Sequence, residues 1–236
     1  MCGRFSQLRA WAELVRLYRI TETDEAPNWP PRYNVAPTQP VAVVVGATGD
    51  RRRLQTMRWG LVPAWAKDLA AGARMINARA ESVTLKPAFR EAMKRRRCVI
   101  PADGFYEWWK HPGGRKQPYW ITWRERDPPA AFAGLWESWL NPADGRRVLS
   151  CTIITTQANT CLRPLHDRMP ALLDATGQEA WLDVESVDHD EAQRLLRPWD
   201  AAEMRAQSVS TWVNSAANEG PRCLDPSAEV ASPLLL

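Results

Sequence analysis

The hydrophobic pattern changes period several times along the chain. After Ser6, a candidate N-cap, the residues Leu8, Trp11, Leu14, Val15 and Tyr18 recur at three-to-four spacing and predict a helix near residues 7–19. Between Asp24 and Gln39 the pattern breaks. Pro27, Pro30, Pro31 and Pro37, with Pro40 just beyond, predict an ordered loop or extended segment there. Val41 to Val45 is an apolar, mostly β-branched run and reads as a buried strand. From Leu54 onwards the texture is mostly β, with strands expected at Leu54 to Trp59, Cys98 to Trp109, Pro118 to Glu125, Ala131 to Trp139 and Val148 to Thr156. Gly113-Gly114 marks a hairpin between two of them. Helical patterns interrupt at Lys86 to Arg96, Gly177 to Val184 and Asp188 to Leu196.

Strands joined by short loops, with helices grouped rather than alternating, predict an α+β fold. Its sheet should be mostly antiparallel, curled or barrel-like, with flanking helices. The chain shows no internal repeat and no linker long enough to divide it, so one domain is expected over residues 1–224, followed by a flexible tail over residues 225–236.

Composition then limits the function classes. At 236 residues, 45% apolar and 25% charged, the chain is neither a disordered tail nor a mini-protein that needs staples. Tryptophan outnumbers the other aromatics, 13 against 4 tyrosines and 4 phenylalanines, so either the core is built on indoles or some of them face a ligand. A net charge of +4 is compatible with an anionic partner. The basic runs Arg51 to Arg53 and Lys94 to Arg97, and the acidic stretch Asp183 to Glu191, fit solvated faces equally well.

Five cysteines without a CxxC pair favour a reducing compartment. The longest apolar run, Val41 to Ala47, is far short of a membrane span, and no signal-peptide pattern precedes it, so a cytoplasmic chain with no membrane partner is expected. His111, His166 and His189 are scattered, and HExxH, the zinc-deaminase pattern, GxGxxG and the Walker loop are all missing. Neither a metal nor a nucleotide cofactor is expected.

Cys2 is the first residue with distinctive chemistry. Its small side chain predicts removal of Met1, which leaves an N-terminal 1,2-aminothiol. Such a group has an amine of pKa about 7.7–8 beside a thiol of about 8.5. The amine condenses with an aldehyde to an imine, and the thiol then closes a thiazolidine; the same thiol can instead attack an acyl carbon. Other residues are ambiguous singly. Glu107 reads as a strand glutamate, His166-Asp167-Arg168 as an ion-paired loop, and Asn77 as a turn former.

Taken in order, longer patterns link them: Met1-Cys2-Gly3-Arg4-Phe5, Arg32-Tyr33-Asn34-Val35-Ala36-Pro37-Thr38, Trp59-Gly60-Leu61-Val62-Pro63 and Ile76-Asn77-Ala78-Arg79-Ala80-Glu81. They continue through Pro101-Ala102-Asp103-Gly104-Phe105-Tyr106-Glu107-Trp108, Thr155, His166-Asp167-Arg168-Met169-Pro170 and Val213-Asn214. This series resembles the SOS-response-associated peptidase family, whose members act as abasic-site processing proteins that crosslink to single-stranded DNA.

The resemblance implies that Cys2 attacks the aldehyde of a ring-opened abasic sugar and ends as a thiazolidine joined to DNA, a crosslinking, lyase-type activity without a cofactor. It implies supporting roles for Asn77, Glu107 and His166. Glu107 suits a general acid and base, His166 a group that titrates near neutrality, and Asn77 a hydrogen-bonding anchor. It also puts Arg4, Asn34, Pro37, Trp65, Arg79, Thr155 and Arg168 along the DNA groove. The arginines suit phosphates, and the Trp59 to Trp65 segment suits an aromatic face for a base. The expected partner of this monomer is single-stranded DNA containing abasic sites. Two alternatives stay open: a cysteine peptidase that processes its own N-terminus, and a non-catalytic reader of modified DNA.

Overall fold

The computed structural model describes residues 2–23, 29–46, 51–110, 114, 116–125 and 128–227. In chain order its elements begin with β1 (Phe5–Gln7), α1 (Trp11–Leu17), β2 (Glu22–Thr23), β3 (Arg32–Val35), β4 (Pro40–Gly46), β5 (Arg52–Trp59), β6 (Asn77–Arg79) and α2 (Arg90–Arg95). They continue with β7 (Arg97–Pro101), β8 (Gly104–Lys110), β9 (Lys116–Trp123), β10 (Ala131–Leu140), β11 (Arg147–Gln157), β12 (Arg168–Pro170), β13 (Leu172–Leu173), α3 (Ala175–Leu182), α4 (His189–Gln193) and β14 (Met204–Ser208).

Five strands close on themselves. β11 pairs β10, β10 pairs β7, β7 pairs β4 and β4 pairs β5, all antiparallel; β5 then returns to β11 in parallel, with Arg58 opposite Ser150 and Trp59 opposite Cys151. Closure removes the exposed edges of these strands. A second, antiparallel sheet runs in the order β14-β9-β8-β1-β3. The result is the α+β, mostly antiparallel and barrel-like arrangement that the sequence pattern predicts.

Alternation along β4 shows how the layers are joined. Val41, Val43 and Val45 pack in a cluster with Phe5, Phe105 and Tyr119 of the second sheet, whereas Ala42 and Val44 pack with Leu14, Met93 and Trp181 from the helices. Each fully buried valine contributes about 1.5–3 kcal/mol.

Several expectations change. Ser6 does not cap α1: it lies in β1, where its Oγ donates to the Gly104 carbonyl (3.2 Å), and the helix starts later, after Ala10. Pairing of the buried Phe5–Gln7 strand on both sides outweighs a single capping bond. The proline-rich segment does hold extended chain, as expected: residues 32–35 form β3, because the prolines fall just outside them and leave those N–H groups able to pair. The stretch from Cys98 to Trp109 is two strands in different sheets, divided at Ala102-Asp103. There Asp103 accepts from the Leu8 N–H (2.5 Å) and pairs with Arg9 (3.1 Å).

The basic runs are already engaged within the protein. Arg51 and Arg53 pair with Glu22, and Lys94 with Glu91. Arg97 is buried, donates to the carbonyls of Trp181, Asp183 and Val187 (2.7 Å each), and lies 5.7 Å over the Trp181 ring. β8 and β9 form the expected hairpin, with Lys110 opposite Lys116; Gly113 lies outside the described residues. The Ser210 N–H donates to the Asp225 carbonyl (2.8 Å) and the Ser227 N–H to the Ser208 carbonyl (3.2 Å), which sets Pro226 opposite Val209. Residues 228–236 of the expected tail lie outside the described residues. No helix among the described residues is long and apolar enough to cross a membrane.

Candidate active site

The N-terminal segment runs into the second sheet beside β8. Phe5 is opposite Phe105, and the Tyr106 N–H donates to the Arg4 carbonyl (2.9 Å), a register that carries Gly3 and Cys2 alongside Glu107 and Trp108. Cys2 is fully buried. From the other side, the Asn77 Nδ2 donates to the Cys2 carbonyl (2.8 Å), and the Asn77 Oδ1 is buried without a hydrogen-bond partner among the described residues. An amide that holds the nucleophile's backbone with one end keeps an acceptor for a substrate hydroxyl or amine at the other.

β6 carries Asn77 because of local backbone geometry. Gly60 adopts φ +124°, and a Cβ there would lie 2.6 Å from the Gly72 carbonyl oxygen, so only glycine permits this approach. The close contact lets the Leu61 N–H reach the Met75 carbonyl (3.1 Å) and the Trp59 indole donate to Ile76 (2.9 Å), directly before Asn77. β6 then pairs in parallel with β11, Asn77 opposite Ile153 and Arg79 opposite Thr155. On the far side of β11, β12 pairs Arg168 with Gln157, which brings His166 to the same end of the sheet.

The electrostatics couple these groups. Burial pushes the Cys2 thiol well above its ordinary range, and the neighbouring Glu107 charge adds to that rise. Burial raises the Glu107 carboxyl from 4.5 to about 7, against the opposing pull of the chain's amino-terminal charge. Burial and the same amino-terminal charge lower the His166 pKa. His166 Nδ1 accepts the Arg168 N–H (2.9 Å) and also stands 2.8 Å from the Asp167 carboxylate. Its surroundings favour the neutral ring, and at Nδ1 two neighbours compete: the Arg168 N–H favours an unprotonated Nδ1, the Asp167 carboxylate a protonated one.

The fold thus brings Cys2, Asn77, Glu107 and His166 together from four separate parts of the chain. Among the described residues no group of three or more potential ligands is placed to hold a metal ion. The family model for SOS response associated peptidase (SRAP) matches residues 1–216. The chain belongs to the SRAP family. It is 40% identical over 225 residues to the abasic site processing protein YoqW of Bacillus subtilis, covering 95% of this chain and 99% of that protein. It is 34% identical to the abasic site processing protein HMCES of Gallus gallus, covering 96% of this chain and 78% of that one. A crystal structure of a protein from Bacteroides thetaiotaomicron superimposes with a TM-score of 0.84 at 26% identity, covering 96% of this chain and 100% of that one.

Within this SRAP chain the residues expected along the groove fall into two groups. Arg79 is exposed with no hydrogen bond from its guanidinium among the described residues, Trp65 is 67% exposed, and Pro37 is half-buried. The others are committed to the fold. Arg4 Nη1 donates to Asn34 (2.6 Å) and to the Val213 carbonyl (3.0 Å), with its guanidinium 5.8 Å from the Trp108 ring. Asn34 is buried and holds the carbonyls of Ser215 and Asn218, and Thr155 is buried with its hydroxyl towards Ala78. Arg168 grips Glu81 with both terminal nitrogens (2.7 and 2.9 Å) and the Thr155 carbonyl with one of them.

Trp59 is a correction. It is fully buried, packs edge-on to Phe5 at 5.1 Å, and supports Asn77 from beneath rather than facing a base. Tyr119 was not singled out in the sequence. It lies opposite Glu107 across β8 and β9, and its hydroxyl is buried without a hydrogen-bond partner among the described residues. Only the strand register reveals that pairing.

Proposed function

We propose that this chain processes abasic sites in single-stranded DNA by forming a covalent thiazolidine link through Cys2. The observation that carries the reading is the burial of Cys2 beside Glu107, with Asn77 bonded to its backbone. In the mature chain the α-amine of Cys2 is the first nucleophile, because the buried thiol is held protonated. The amine nitrogen bonds to the aldehyde carbon of the ring-opened sugar, water leaves, and an imine forms. The thiol sulfur then bonds to the same carbon while its proton passes to the nitrogen, and the ring closes. The net change is aldehyde plus aminothiol to thiazolidine plus one water.

Glu107, with a pKa of about 7, exists in both protonation states near neutrality, so it can protonate the departing hydroxyl and then accept the thiol proton. His166 assists opening of the sugar, and the Asn77 Oδ1 accepts a hydrogen bond from a sugar hydroxyl or the amine. Arg79 holds a backbone phosphate and Trp65 stacks on a base, while Arg4, Asn34, Pro37, Thr155 and Arg168 shape the groove.

The test is incubation of the full chain with an abasic single-stranded oligonucleotide, followed by denaturing electrophoresis. The wild type should give a denaturation-resistant adduct, whereas Cys2→Ala should give only an imine that borohydride traps. A stable adduct from Cys2→Ala overturns the mechanism. Autoproteolytic release of Met1 is the second reading, supported by the same thiol and the Asn77 amide. It requires Met1 to persist in Cys2→Ala made by cell-free synthesis without aminopeptidase, and to be lost from the wild type made in the same way.

A further inference from the structure

Glu81 takes no part in the proposed chemistry, yet it anchors Arg168, whose contacts tie the Asn77 strand to the His166 strand. It follows β6, is half-exposed, and receives both terminal nitrogens of Arg168 at 2.7 and 2.9 Å. Arg168 is nine-tenths buried, and its Nη2 also donates to the Thr155 carbonyl on β11, the strand between β6 and β12. The main-chain N–H of the same Arg168 donates to His166 Nδ1 at 2.9 Å. A fork held at two points on one carboxylate and at a third on a carbonyl has little freedom, so the backbone N–H that begins β12 is fixed with it.

We propose that Glu81 is a positioning residue for His166, acting through Arg168. Two effects follow. The bidentate pair fixes the Arg168 amide on Nδ1 and so tips the ring towards the Nε2–H tautomer, against the Asp167 carboxylate 2.8 Å from the same nitrogen. It also neutralises a guanidinium that would otherwise disfavour the imidazolium. The charged groups acting on His166 are the chain's amino terminus and Arg168, which disfavour its protonation, and Asp167, which favours it. Arg168 also holds the Glu81 carboxyl below the usual carboxylate range, so Glu81 stays ionised throughout the range in which His166 titrates. The catalytic importance of this device rests on the proposed role of His166.

The experiment follows the imidazole directly. The chain has only 3 histidines, so 15N-histidine labelling with two-bond 15N–1H spectra resolves each ring, and His166→Gln assigns the signal. In the wild type, neutral His166 should be the Nε2–H tautomer. Glu81→Gln should mix the tautomers and move the His166 pKa down by about half a unit or more, the lower end of the effect of an uncompensated nearby charge. Glu81→Asp, which keeps the charge, should return most of the way to wild type, and Glu81→Ala serves if the glutamine variant does not fold. In an Arg168→Met background, Glu81→Gln should have no further effect.

An unchanged tautomer and pKa in Glu81→Gln, or an undiminished shift in the Arg168→Met background, overturns the proposal. Adduct formation by the wild type is measured in parallel. If the adduct forms but the His166 signals are indifferent to Glu81, only this inference falls. If the signals move but no adduct forms, the proposed function falls instead.

Discussion

Arg79 and Arg168 flank the same strand, β11, and differ in almost every physical respect. Arg79, opposite Thr155, is exposed and has no hydrogen bond from its guanidinium among the described residues. Arg168, opposite Gln157 on the other side, is buried, with both terminal nitrogens held by Glu81 and the Thr155 carbonyl. A phosphate can reach the first at little cost and must displace a bidentate carboxylate to reach the second. The comparison teaches that two arginines beside one strand can be suited to different work: one is exposed, as the phosphate contact of the proposed function requires, and the other holds its neighbours in shape.

The largest expected effect concerns the buried half of the site. Glu107→Gln should slow adduct formation by about 10²–10⁴-fold and remove the limb of the pH–rate profile centred near pH 7. It should also stabilise the fold. A carboxyl raised from 4.5 to about 7 in the native state makes the protein lose stability as pH rises through that interval, because the unfolded chain releases the proton first. Relative to the wild type, the glutamine variant should therefore gain up to about 3 kcal/mol between pH 4 and pH 8, read from denaturant unfolding. Equal pH dependence in the two proteins would contradict the burial argument.

Next is the arginine pair itself. Arg168→Ala removes the bidentate partner of Glu81 and one of the two donors to the Thr155 carbonyl, which keeps the Ala80 N–H, and opens a buried space, so it should cost about 1–3 kcal/mol of stability, seen as a lower Tm. Arg79→Ala should leave Tm unchanged and reduce the slope of log K against log salt on single-stranded DNA by about 0.7, one phosphate contact. If Arg79→Ala destabilises the fold and Arg168→Ala changes only the salt slope, the two assignments are reversed. Trp65→Ala, at a 67% exposed position, should weaken binding by about 1–3 kcal/mol per stacked base and likewise spare the Tm.

The same division explains what was legible in the sequence. The alternation of β4 and the apolar runs of β7, β10 and β11 announce strands because local composition and burial agree there. Ser6 misleads because a local capping signal competes with pairing to two distant strands. Trp59 misleads because composition cannot distinguish an indole that packs against Phe5 from one that faces solvent. The motif order pointed to Cys2, Asn77, Glu107 and His166. Tyr119 opposite Glu107 and Glu81 against Arg168 depend on register between distant segments, which no local pattern carries.

Intact mass spectrometry of the protein after incubation with an abasic single-stranded oligonucleotide tests the central claim most directly. The account predicts one species at the mass of the chain lacking Met1 plus the ring-opened oligonucleotide, less one water, and stable without reductant. A wild-type spectrum showing only free protein and free DNA, or an adduct mapped by digestion to a residue other than Cys2, would contradict it.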